Sequence, residues 1–139
     1  MGGVAYQKLH LIPKGEEFDA LLFKNGHMEI YINEDGTSKI SGVNMDKYKN
    51  VNKEFIREEF KDIRNAFMKA GYQKLNDEYT GSFHCDDCME SNIKVSFFKR
   101  GKIIKTIQDA GQGSPMPFLW ACLKMQYLPF IYKLSFEKT

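Results

Sequence analysis

Apolar and polar residues alternate along the first part of the chain, and the period then lengthens. Met28, Ile30 and Ile32 fall on one side of an extended run with Glu29 and Tyr31 on the other, which is the two-residue period of a half-buried strand. Tyr6 to Ile12, Phe18 to Phe23 and Thr37 to Val43 read as companion strands, separated by Pro13-Lys14-Gly15, Asn25-Gly26 and Asp35-Gly36. Asn-Gly predicts a type I′ hairpin turn, because both central residues of that turn need positive φ. Connections this short imply an antiparallel meander.

Past Asn52 the period becomes helical. Phe55, Ile56, Phe60, Ile63, Phe67 and Ala70 recur mainly at steps of three and four, leaving Arg57, Glu58, Lys61, Asp62 and Arg64 for water. Such a stripe packs on a sheet, and Asn52 and Gly71 are residues suited to cap its two ends. Tyr72 to Leu75 is expected to lead back to the sheet, and the polar stretch from Thr80-Gly81 to Asn92 reads as a loop. Ile93, Val95 and Phe97 alternate with Lys94 and Ser96, and Arg100-Gly101 turns the chain into Lys102 to Ile107 as a further hairpin.

Ser114-Pro115 then predicts a helix start, the serine oxygen accepting an orphan amide while proline has none to waste. The helix runs to about Leu128. Phe118, Leu119, Trp120, Ala121, Cys122, Leu123 and Met125 leave it few polar positions, so it is either buried on most sides or turned toward a partner. Pro129 is expected to end it. Phe130, Tyr132, Leu134 and Phe136 alternate with Lys133, Ser135 and Glu137 and predict a last strand. The fold class is therefore α+β, an antiparallel sheet of about six or seven strands with two helices packed on it.

At 139 residues the chain fits one domain over 1–139, since two cores would each be too small to bury enough apolar surface. Eleven Phe and seven Tyr suit an aromatic sheet-on-helix core. Twenty basic and eighteen acidic residues are interspersed, for a formal charge of +2. A nucleic-acid partner is not expected, because that role needs a basic stripe to displace counterions. No apolar run is long enough to cross a bilayer, and Met1-Gly2-Gly3-Val4-Ala5-Tyr6 lacks the basic-then-apolar pattern of a signal. Three cysteines, Cys85, Cys88 and Cys122, make an odd set that argues against a disulfide framework. A reducing, cytoplasmic compartment is favoured, with an envelope location after signal removal as the alternative.

The sharpest chemical constellation is His84-Cys85-Asp86-Asp87-Cys88, one imidazole and two thiols within five residues. His84, Cys85 and Cys88 are the candidate metal ligands, of the types a zinc knuckle uses. The other ligand pair of a structural zinc site is lacking, with only Cys122, His10 and His27 left to supply it, so no cofactor is expected and zinc is the candidate exception. The carboxylate pairs Glu16-Glu17, Glu58-Glu59 and Asp86-Asp87 read as surface charge. Gly111-Gln112-Gly113-Ser114-Pro115 precedes a helix as phosphate loops do, yet lacks the Gly-Lys-Ser/Thr ending, and reads as a strand-to-helix linker. Phe118, Trp120 and Tyr132 are the candidate binding residues.

The stretch from Phe18 to Leu128 resembles an uncharacterised domain family of secreted and lipoprotein-like Bacteroidetes proteins. The likeness is carried by a strand pair with an Asp-Gly turn between Ile30 and Gly42, a Phe/Gly-Tyr corner from Phe67 to Leu75, the acidic Asp86-Asp87 turn, and a hairpin before the final helix. The chain lacks that family's cysteine-bearing approach to the first strand. The resemblance implies the α+β fold and no particular activity. The function expected is that of a non-catalytic protein-binding module, such as an inhibitor or immunity-type protein, acting on a partner protein or forming a homodimer. The alternative is a metal-dependent enzyme or a zinc-stabilised domain using the His84 to Cys88 loop.

Overall fold

The structure, a computed structural model, describes residues 17–42, 51–80, 92–111 and 113–136. Strands β1 (Ala20–Asn25), β2 (Met28–Asn33) and β3 (Ser38–Ser41) form the antiparallel meander expected from Phe18 onward, and the companion strand expected over Tyr6 to Ile12 lies outside the described residues. Their alternation puts Phe23 opposite Ile30 and Ile30 opposite Ile40, all on one face. Asn25 closes the β1–β2 ladder opposite Met28, so the loop residues are Gly26 and His27. Only the glycine has positive φ, 62°, and the turn therefore sits one residue later than Asn-Gly in a type I′ turn would place it.

Helix α1 (Lys53–Lys69) follows. The Asn52 side chain accepts the Phe55 N–H at 3.0 Å, and Gly71 takes the left-handed conformation just past the end, as the cap residues predict. Its first residue rests on the β2–β3 turn: a Cβ at Gly36 would lie 2.7 Å from the Lys53 carbonyl oxygen. Glycine there, at φ 97°, lets helix and turn touch. Arg57 donates to the Asp35 carbonyl at 3.0 Å and Arg64 to Glu34 at 2.9 Å, fixing the helix across the sheet.

Tyr72–Lys74 is a 3-10 turn where a return to the sheet was expected, and it carries Tyr72 into the core. Strand β4 (Glu78–Thr80) comes next, then β5 (Asn92–Lys99) and β6 (Lys102–Ala110). β5 pairs antiparallel with β1, placing Val95 opposite Phe23, and with β6. β4 lies parallel to β6. The described residues thus build a six-stranded, mostly antiparallel sheet in the order β3-β2-β1-β5-β6-β4.

Helices α2 (Met116–Gln126) and α3 (Leu128–Phe136) complete the described fold. Two expectations are corrected here. The described residues hold three helices rather than two, and Phe130 to Phe136 is helical rather than a strand. Five of the seven residues in that short run are apolar, so it fits both periods. Packing decides between them: helical spacing buries Leu128 and directs Tyr132, one turn on, toward α1. Pro129 lies in the first turn of α3, where its missing amide costs nothing, and so begins a helix where it was expected to end one.

The core lies between one sheet face and the helices. Leu21, Phe23, Ile30, Ile32, Val95, Phe97 and Ile107 meet Ile56, Phe60, Ile63 and Phe67 of α1 and Phe118, Ala121 and Met125 of α2, all completely buried. Each large side chain so buried contributes roughly 1.5–3 kcal/mol. The stripe read from the sequence of α1 is the stripe that packs.

Candidate functional site

Helix α2 is apolar on two sides, and the sheet can take only one of them. Phe118, Ala121, Cys122 and Met125 fill the inner side, and Leu128 extends it into α3. Met116, Trp120, Leu123 and Tyr127 lie along the outer side, followed by Phe130, Ile131 and Leu134 on α3, all exposed. Trp120 leaves 61% of its surface in solvent and Phe130 58%, which singles them out because rings of this size normally find cover. Positions 116, 120, 123, 127, 130 and 134 step by four and three in turn, so each side chain neighbours the next on a helical surface.

The junction between the helices does not break the stripe. Tyr127 has right-handed helical φ and ψ; its N–H donates to the Leu123 carbonyl at 3.0 Å and its carbonyl accepts the Ile131 N–H at 2.9 Å, so it belongs to the last turn of α2 and the first turn of α3 together. At roughly 200 Å² per large side chain, half exposed, the stripe amounts to about 700 Å² of contiguous, largely apolar surface. That exceeds the roughly 300–600 Å² of the largest patch on an ordinary monomer.

Polar ties hold the two helices in this attitude. Asp109, wholly buried at the end of β6, accepts the Gly113 N–H at 2.8 Å, the Ser114 N–H at 2.9 Å and the Ser114 hydroxyl. Lys124 pairs with Asp62 of α1 at 2.8 Å, and Asn25 donates to Gln126 at 3.0 Å. The Tyr132 hydroxyl accepts the Asn52 N–H at 3.3 Å while its ring meets Phe55 edge-on. The outer face is thus presented by a fastened frame.

Asp109 also settles the glycine-rich linker. The Gly113 and Ser114 amides, which an anion would need, are taken by a carboxylate of the chain itself. Ser114 donates its hydroxyl to Asp109 instead of capping α2, whose start at Pro115 has no side-chain cap, and this corrects the serine cap expected there.

Of the three candidate binding residues, Trp120 stands on the outer face. Phe118 does not: it lies in the core with its ring edge against Phe67, because the side of α2 that carries it is the side the sheet covers. Tyr132 is half-buried and joins α3 to α1. Sequence reasoning missed Met116, Leu123, Tyr127, Phe130, Ile131 and Leu134 as surface residues. The three-four spacing marks them, and reading Phe130 to Phe136 as a strand cut that spacing in two.

His84, Cys85 and Cys88 lie outside the described residues, as does His10. Among the described residues no cluster of three or more His, Cys, Asp or Glu could hold a metal ion, and no helix is long and apolar enough to cross a membrane. Glu58 and Glu59 part company, Glu58 facing solvent and Glu59 half-buried beside α2. Burial, with Asp62 adding, raises the Glu59 pKa above the ordinary carboxylate range, and Lys124 opposes the shift. Cys122 is a buried free thiol. Burial first, and the Asp109 charge second, push its pKa far above the usual thiol range, so it is held protonated and unreactive.

Comparisons with family models, with curated proteins and with solved structures find no match.

Proposed function

We propose that this chain is a non-catalytic protein-interaction domain of the inhibitor or immunity kind, and that its working surface is the outer face of α2 and α3. The observation that supports the reading is the exposed stripe from Met116 to Leu134. A face of this size and composition, fixed at its start by the buried Asp109–Ser114 bonds and along its length by the Lys124–Asp62, Asn25–Gln126 and Tyr132–Asn52 ties, suits recognition by shape, with Trp120, Tyr127 and Phe130 of the residue types that anchor interfaces. Exposed on the folded domain, the face contributes little to the domain's own stability, so another protein surface is where its burial would release free energy.

The test is a pair of substitutions, Leu123→Glu and Tyr127→Glu. Both variants are expected to unfold cooperatively at or above the wild-type temperature, since neither side chain is core, and to lose calorimetric binding to the protein chain the wild type binds. A fall in melting temperature as large as a core truncation gives would mean that the face is packed against its own chain. Undiminished binding by both variants would place recognition elsewhere.

A further inference from the structure

Resting on the reading of this face as an interaction surface, we infer that its occupant is a second copy of the chain, docked helix pair on helix pair about a two-fold axis. The stripe is symmetric along the sequence: Leu123 and Tyr127 lie two residues either side of position 125, Trp120 and Phe130 five, and Met116 and Leu134 nine. An antiparallel copy therefore sets Trp120 against Phe130, Leu123 against Tyr127 and Met116 against Leu134. A two-fold interface requires this self-complementarity, and alternating steps of four and three form the seam along which helices interlock.

Area and charge agree with that occupant. About 700 Å² offered by each copy is close to the roughly 800 Å² per partner of a standard-size interface. From Met116 to Leu134 the only charged residues are Lys124 and Lys133. Lys124 is engaged by Asp62 of its own chain, and antiparallel pairing places Lys133 beside Pro117 of the copy, so no like charges meet. A parallel arrangement would set each lysine against its own counterpart. A lipid surface is the poorer fit, because helices that lie in a membrane interface carry a row of lysines and arginines and this pair carries two lysines, one already taken.

Sedimentation velocity of the full chain, from low micromolar to submillimolar concentration, tests the inference alongside acrylamide quenching of Trp120. The expected result is a concentration-dependent dimer, with Trp120 quenched less as the dimer fills. Trp120→Glu and Phe130→Glu should each weaken it by about thirtyfold or more, the effect of removing one interface anchor, while circular dichroism and cooperative urea unfolding, measured at a concentration where the wild type is still monomeric, stay as in the wild type. Lys94→Glu, an exposed residue on β5, should leave the dimer intact. A dimer that survives both glutamate variants overturns the inference. A monomer throughout with Trp120 freely quenched overturns the second copy and leaves the face open to another protein. A monomer with Trp120 shielded overturns this inference and the proposed function together. A monomer that moves onto phosphatidylglycerol vesicles replaces the second copy with a lipid surface.

Discussion

Phe18 sets its ring edge-on to four others, Phe60, Phe67, Tyr72 and Phe97, and Tyr72 stacks on Phe97 at 4.3 Å. Such pairs add about 0.5–1.5 kcal/mol beyond the burial of each ring. Phe60 also supports the Arg64 guanidinium, 5.2 Å from its centroid. Phe60→Ala should therefore cost about 3–5 kcal/mol, read as a lower urea midpoint at unchanged slope. An unaltered midpoint would contradict the register of α1. One residue before it, Glu59 acts in the opposite sense. Its raised pKa means that folding favours the neutral form, so its contribution is full below the ordinary glutamate value and lost as pH rises through the folded one. Glu59→Gln should be more stable than the wild type at neutral pH, with the gap closing on acidification, when urea midpoints are compared across pH. Equal midpoints at neutral pH would sink that account. Asp35 runs the other way. Bonds from the Thr37 hydroxyl and amide lower its pKa, so its stabilisation is present above the ordinary aspartate range and is lost as pH falls through the folded value.

Among the elements, the start of α2 depends on one side chain. Asp109 takes three hydrogen bonds from the loop before the helix, and an amide in its place would turn donors toward donors. Asp109→Asn should cost about 1.5–3 kcal/mol, the range for a hydrogen bond to a charged group, and should loosen the outer face by freeing its frame. A melting temperature within a degree or two of the wild type would show that the loop holds without it. This anchor was not legible in the sequence, since Asp109 reads as one polar position at a strand end and its partners lie beyond a turn. Asn52 and Gly71 were legible, because a cap is a local affair of a few residues. So were the α1 stripe, the β1–β3 meander and the β5–β6 hairpin, whose period has one interpretation. β4 was not: three residues are too few to show a period, and its neighbour is set by tertiary pairing. Phe130 to Phe136 failed for the reverse reason, with so many apolar residues that both periods fit. The same excess hid the candidate site. Pattern alone shows that α2 has two apolar sides, and only packing assigns Phe118 to the sheet and Trp120 to solvent.

At the scale of the whole molecule, the sheet is laid down out of sequence order. β1 stands inside it, between β2, which follows a two-residue turn, and β5, which follows α1 and β4. Contacts between distant segments form slowly, because loop closure must come before any gain. A chain ended after Thr80 would hold β1, β2, β3 and α1 with one edge of β1 unpaired and Phe23 and Leu21 only half covered. Such an edge templates association with other strands. That fragment should pellet on expression where the full chain stays in the supernatant, and a monomeric, cooperatively folding fragment would refute this. The central position of β1 thus carries a consequence for synthesis. During synthesis β2 is available to pair with β1 before β5 is, so the second edge of β1 stays open until β5 has emerged, and that interval is when the growing chain exposes an edge that templates association.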